Sequence, residues 1–306
     1  MVWTMGELLC EIMRPEPDMP LDKASVFLGP YPSGAPAIFI NTVAKLGQPA
    51  GIIGGVGRDD FGKCLLERLK GSGVDCSLVR EFDDGATGVA FVTYFSNGER
   101  RFLFHFPDTP ATKATAPEPD RLGKVSYFHI MGCSIMAEPG FGDEIIKLMT
   151  SLAASGTKVS FDPNIRPELM QGGHDKIKEV MQYCNVLLPG REELLMVSGA
   201  STIDEALNLC FKNPHLEIIA MKDGARGCTI YTRSESFTVD VYQVDVKDQT
   251  GAGDAFDAGF ICGLIEGLPL QDAAKMATAA AALNTAAFGP MEGDISTPNI
   301  QKLIGM

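Results

Sequence analysis

Four short runs in the chain, KVSYFHIM (124–131), TKVSFD (157–162), CNVLLP (184–189) and LEIIAMK (216–222), are apolar almost throughout. A strand with one wet face alternates apolar and polar residues, so a continuous run marks a strand buried on both faces. The segments between these runs have helical spacing, as in GDEIIKLMTSLAASG, ended by Gly156, and REELLMVSG, ended by Gly199. Strand and helix in alternation, with strands this apolar, require an α/β fold: a mostly parallel central sheet covered by helices on both faces. No Pro- or Ser-rich linker interrupts the chain, and residues 1–306 read as a single domain.

The first 110 residues carry another pattern. TGVAFVTYFSNGERRFLFHF (87–106) has two β-rich runs around Ser96-Asn97-Gly98, a hairpin signal. With the early segment it predicts a small β-structure formed by about residues 10–32 and 85–108. Two placements are open. It is an extra edge of the main sheet, or, because it is inserted between α/β units, a lid over a site.

Composition excludes several function classes. A formal net charge of −13 opposes nucleic-acid or anionic-membrane partners, which demand clustered Lys and Arg. A small anionic ligand needs only a local positive field and stays open. No apolar run is long enough to cross a bilayer. The N-terminal MVWTMGELLCEIMRPEP has acids where a secretory signal needs a basic start, so a cytoplasmic location is expected. The eight cysteines form no CxxC pair and read as buried free thiols.

DQTGAGDAFDAGF (248–260) holds the chemistry. It follows strand-like FTVDVYQVDV (237–246) and opens a helix expected from about Gly253 to Gly267 and Pro269. First-turn N–H groups have no intrahelical partner, and with the helix dipole they form an anion site. Gly251, Ala252 and Gly253 would let phosphate oxygens approach these amides, with a glycine conformation expected at Gly253. Asp254 has two readings. It is a helix-terminal acid stabilised by the dipole, or it faces a hydroxyl and takes its proton as that oxygen attacks phosphorus. The stretch is not a Walker A loop. GGVGRDDFG (54–62) is not a dinucleotide fingerprint, because Asp60 stands where the third glycine belongs.

DQTGAGDAF resembles the C-terminal signature of the ribokinase-like (PfkB) carbohydrate kinases, usually written DTTGAGD. The likeness continues through MGELLCEI, PSGAPAIFINTVAKLG (32–47), GGVGRDDFGK (54–63), TGVAFV, FDPNIRPEL (161–169), LLPGREELLMVSG (187–199) and MKDGARGCTIY (221–231). The resemblance implies a ribokinase-like fold with a β-lid over a sugar pocket, ATP as donor with Mg²⁺, and stimulation by a monovalent cation such as K⁺. It implies Asp254 as general base and the Gly251, Ala252 and Gly253 amides as the anion hole. Asp248 and Thr250 match the monovalent-cation loop, and Glu193 the acid that organises Mg²⁺ through water. Lys222, Asp223, Gly224 and Gly227 match the loop beside the nucleotide, with Thr278 and Gly289 near the adenine. Asp162, Asn164 and Arg166 fall at a strand's C-terminal end, and Gly34 in the first glycine motif, where the sugar binds. A homodimer through the lid is also expected.

Departures from the family pattern bear on the substrate. The usual Asn of the first glycine motif is Ile38, the usual N-terminal Asp is Glu11, the Tyr-Arg ending the hairpin strand is His105-Phe106, and the NxxE motif begins with Gly190. His105 is a candidate sugar contact or a structural residue. The expected reaction transfers the γ-phosphate to a primary hydroxyl of a neutral ketohexose, fructose- or tagatose-like. Arg166 keeps a 2-keto-3-deoxygluconate-type sugar acid as the alternative. A nucleoside kinase and a silent sugar-binding homologue are further ones.

Overall fold

The structure, a computed structural model, describes residues 1–97, 99–166 and 174–305. Gly98 of the hairpin signal, and Pro167 with the end of FDPNIRPEL, lie outside the described residues.

Among the described residues thirteen strands form two sheets: β1 (Val2–Met5), β2 (Leu9–Met13), β3 (Leu28–Ser33), β4 (Ala50–Gly57), β5 (Asp75–Phe82), β6 (Gly88–Tyr94), β7 (Arg100–His105), β8 (Tyr127–Met131), β9 (Lys158–Asp162), β10 (Cys184–Leu187), β11 (Ile218–Lys222), β12 (Cys228–Tyr231) and β13 (Ser236–Val239). The larger has nine strands in the order β13-β12-β11-β10-β9-β8-β1-β4-β5. From β11 to β5 neighbours are parallel, and β12 and β13 add an antiparallel edge. Every residue of β1, β4 and β8 is buried, as strands covered on both faces must be. The four apolar runs supply β8 to β11.

Two expectations need correction. FTVDVYQVDV is a strand only to Val239 and continues without regular structure. The large sheet also reaches into the first 110 residues, taking β1, β4 and β5 from them. Strand β4, AGIIGGVG, looks like a loop because its neighbours leave no room for side chains. A Cβ on Gly51 would lie 2.6 Å from the Trp3 indole, and one on Gly55 2.1 Å from the Pro110 carbonyl.

The predicted small β-structure is a separate four-stranded sheet, β3-β2-β6-β7, and not an extra edge of the main one. In the large sheet, chain order runs outward from β1 in one direction through β4 and β5, and from β8 in the other. The crevice between β1 and β8, at the strands' carboxyl ends, is the switch point where open α/β sheets bind ligands. Among the described residues no helix is long and apolar enough to cross a membrane.

Candidate active site

The Ala252–Ile265 helix opens on the site. Its N-cap, Gly251, has φ 77°, a left-handed conformation that favours glycine, and no side chain caps its first turn. A Cβ on Gly251 would also lie 2.7 Å from the Pro290 carbonyl oxygen. The conformational need therefore falls on Gly251 and not on Gly253 as expected. At Gly253 a Cβ would meet only Lys222 Nζ, at 3.7 Å. The Gly253 and Asp254 amides have no backbone partner and both residues line a cavity, as the anion-site reading requires. Ala252 is corrected, because its amide donates to the Gln249 carbonyl at 3.3 Å and the residue does not line that cavity.

The loop before the helix is tied down on three sides. Asp248 Oδ1 accepts from the Thr250 amide at 2.9 Å, and Oδ2 from the Gly289 amide at 2.9 Å. Asn284 donates to the Thr250 carbonyl at 2.8 Å, while its own Oδ1 is buried without a partner. From the small sheet, the Tyr94 hydroxyl lies 2.7 Å from both Asp248 Oδ1 and Thr250 Oγ1.

Asp254 does not turn back to cap its helix. It lines the cavity, and its Oδ1 accepts from Asn164 Nδ2 across the cleft at 3.4 Å. Burial first, then the Asp162 charge, push its pKa up to about 7, against the pull of Lys222, Arg166 and Arg100. A carboxylate with that pKa is matched to proton abstraction near neutral pH.

Around Lys222 sits a dense ionic cluster. Its Nζ donates to Asp162 Oδ2 at 2.8 Å and to both oxygens of Asp257 at 3.1 and 3.2 Å. Asp257, fully buried one turn after Asp254, was missed in the sequence. Its signal was present: DAFDAGF puts a second acid on the same helical face as the first. Burial holds Asp257 well above the ordinary carboxylate range, whereas the Lys222 ammonium is the main influence holding Asp162 below it. Glu193 accepts from the amides of Gly190, at 2.7 Å, and Ile165, at 2.8 Å. It thereby caps the first turn of its own helix from the N3 position and fixes the segment after Asp162.

The cavity, about 180 Å³, lies between these groups and the small sheet. Alternation along β2 and β7 turns Leu9, Glu11, Arg100, Phe102 and Phe104 toward it, and Gly34 and Ile38 line it from the Ala35–Lys45 helix and its N-cap. Glu11 Oε1 accepts from Ser33 at 2.7 Å, but Oε2 is buried without a partner. Burial raises its pKa to about 7. Glu7, another acid the sequence reading passed over, is held by Ser134 at 2.5 Å and by the Cys133 thiol at 3.3 Å. Arg166, Arg100 and Lys222 are the cationic groups lining this space.

Several predicted residues are elsewhere. His105 is corrected: the same alternation points it to the outer face of the small sheet, where its ring meets Phe91 edge-on. Phe106, beyond the strand, returns to the cavity. Thr278 is buried and spends its hydroxyl on the carbonyls of Ala274 and Lys275, so that hydroxyl is not offered to a nucleotide. The Gly289 amide serves Asp248. Asp223 pairs with Arg226 and Arg191 in the loop that also holds Gly224 and Gly227, outside the cavity lining. Among the described residues no cluster of three or more His, Cys, Asp and Glu could hold a metal by itself.

Comparison with known proteins gives one answer. The profile of the pfkB family carbohydrate kinases matches residues 28–298. Fructokinase-2 of Solanum lycopersicum is 30% identical over 283 residues, covering 90% of this chain and 85% of its own. An Escherichia coli protein provisionally designated ribokinase II, solved with ATP and Mg²⁺, is 36% identical, with TM-score 0.94 and coverage of 99% and 98%. A fructokinase from Xylella fastidiosa with bound ATP shares the fold, with TM-score 0.88 at 23% identity over 99% and 98% of the two chains.

Proposed function

The chain belongs to the pfkB family of carbohydrate kinases, and we propose that it transfers the γ-phosphate of ATP to a primary hydroxyl of a neutral ketohexose, fructose- or tagatose-like. The observation that carries this reading is the cavity itself. It joins a raised carboxylate beside unoccupied helix-end amides, Asp254, to a second carboxylate with a free buried oxygen, Glu11. At about 180 Å³ it has room for one monosaccharide, well below the roughly 300–1,000 Å³ of larger ligand pockets.

The sugar lies under the small sheet, its hydroxyls donating to Glu11, and its primary hydroxyl reaches Asp254. Asp254 takes that proton while the sugar oxygen forms its bond to the γ-phosphorus and the bond from phosphorus to the ADP oxygen breaks. The free amides of Gly253 and Asp254 stabilise the charge on the phosphoryl oxygens. ATP extends from there along the Asp223–Gly227 loop. The small sheet serves as a lid that excludes water from the transfer.

Mg²⁺ neutralises phosphate charge when bound. Glu193, whose two oxygens each accept a backbone amide, would help to hold it through water. A monovalent cation such as K⁺ would be held beside Asp248 and Thr250, in the loop that Asn284 braces through the Thr250 carbonyl. The free state of all eight cysteines agrees with a reducing, cytoplasmic setting. The outer lid face, with Phe91 and half-exposed Leu103, is the surface for a homodimer.

One observation favours a second acceptor. Arg100 and Arg166 both line the cavity, and two guanidiniums suit a sugar carboxylate. The test is kcat/KM, under one assay, for fructose, tagatose, 2-keto-3-deoxygluconate, ribose and adenosine. Fructose or tagatose is expected to lead. A tenfold preference for the sugar acid overturns the neutral-ketose reading and leaves the kinase intact.

A further inference from the structure

Lys222 closes β11 with its side chain turned away from the nucleotide loop that follows and into the cavity. Its ammonium has three donors. Asp162 and Asp257 engage it from opposite elements, β9 and the Ala252–Ile265 helix. All three donors have carboxylate acceptors, Asp162 Oδ2 and both oxygens of Asp257, but the two Asp257 contacts are the longer ones, at 3.1 and 3.2 Å, and one of them can be exchanged for another anionic oxygen. The side chain keeps 17% of its surface exposed, while the two carboxylates keep 2% and none. Of the three side chains, the lysine is thus the one most open to the cavity.

That tip faces the anion hole. The space left free by the missing Gly253 side chain ends on Lys222 Nζ, 3.7 Å from where a Cβ would stand. An oxygen seated on the first-turn amides would have the ammonium beside it. The acids facing this point are Asp162, Asp254, Asp257 and Glu193, and the other cations are Arg100 and Arg166. A loose lysine loses rotamer freedom when fixed. Two buried carboxylates that clamp it in advance remove that cost from the reaction.

Resting on the kinase reading above, we propose that Lys222 is a further catalytic residue, touching the phosphoryl group in transfer, and that Asp257 is the positioning residue that aims it. The lysine makes and breaks no covalent bond. It offsets negative charge that grows on the equatorial oxygens as the bond to ADP breaks, a contribution absent from ground-state nucleotide binding.

The test needs no known acceptor: slow sugar-free ATP hydrolysis, with water accepting the phosphoryl group, and binding of ADP with and without aluminium fluoride. For Lys222→Met, ADP affinity should stay within about threefold, while hydrolysis and the affinity gained from aluminium fluoride fall about 100-fold. Asp257→Asn should lose about tenfold in the same two readouts, as expected when a charged donor is loosened but kept. Should Lys222→Met fail to fold with Asp162 uncompensated, the charge-balanced Lys222→Met/Asp162→Asn variant carries the same expectation. Both readouts within threefold of wild type in a folded Lys222 variant overturn the proposal and reduce the cluster to a structural tie. Failure to phosphorylate fructose or tagatose refutes the ketohexose reading alone, because neither measurement uses a sugar.

Discussion

At the helix end of the cavity, the groups that matter are fixed by backbone and by short ionic contacts inside the body of the fold. Gly251 sets the turn, the first-turn amides follow from it, and Asp254 projects from the same helix. At the opposite end, the lining comes from side chains on alternate positions of β2 and β7, two strands that belong to the separate small sheet. One end resists change because moving it means moving the main chain. The other can be rebuilt by single substitutions, at Glu11 or Phe102 for instance, without moving the main chain.

The largest break in this contrast is Asp254→Asn. Turnover should fall about 10²–10⁴-fold with ATP and sugar binding nearly intact. A kcat above about a tenth of wild type would remove Asp254 from the base role. Next comes the glycine pair. Gly251→Ala forces a side chain into the left-handed region and against Pro290, at a cost of about 1–3 kcal/mol from the backbone alone. Gly253→Ala should stay within about 0.5 kcal/mol in the same urea titration. Equal losses at the two would show that the turn is not where the rigidity lies.

Smaller effects belong to the sugar end. Glu11→Gln should raise KM for the sugar about tenfold, the loss of one charged hydrogen bond, with kcat little changed. It should also simplify the pH profile. Asp254 and Glu11 both have pKa values raised to about 7, so each is ionised above that pH and takes a proton as pH falls through it. Wild-type kcat/KM should drop with a slope approaching two below pH 7, and that of Glu11→Gln with a slope of one. Smallest of all, His105→Ala should leave both constants within about twofold, since the ring lies on the far face of the sheet. A larger loss would mean that the outer face communicates with the cavity.

The two ends were also unequally legible in the sequence. Strands β8 to β11 announce themselves as apolar runs, and the helix-end chemistry sits in seven contiguous residues, so local pattern was enough. Strand β4 was illegible because its glycines answer to Trp3 and Pro110, contacts that only the folded chain reveals. His105 was misplaced for a similar reason: which face of a hairpin turns inward depends on register against β6, and a one-residue step reverses it. Asp257 was written in plain view. Its meaning depended on Lys222, 35 positions away.

Tyr94 ends β6, and its hydroxyl rests on Asp248 and Thr250 in the loop that leads into the Ala252–Ile265 helix. The small sheet cannot rise from the body without giving up both contacts, one of them to a carboxylate. A hydrogen bond to a charged group contributes about 1.5–3 kcal/mol, so raised molecules are roughly 10- to 150-fold scarcer than they would be without it. On the lid reading proposed above, this scarcity would lengthen the dwell of whatever lies beneath, and the phenol would act as a clock on departure as much as a support for the loop.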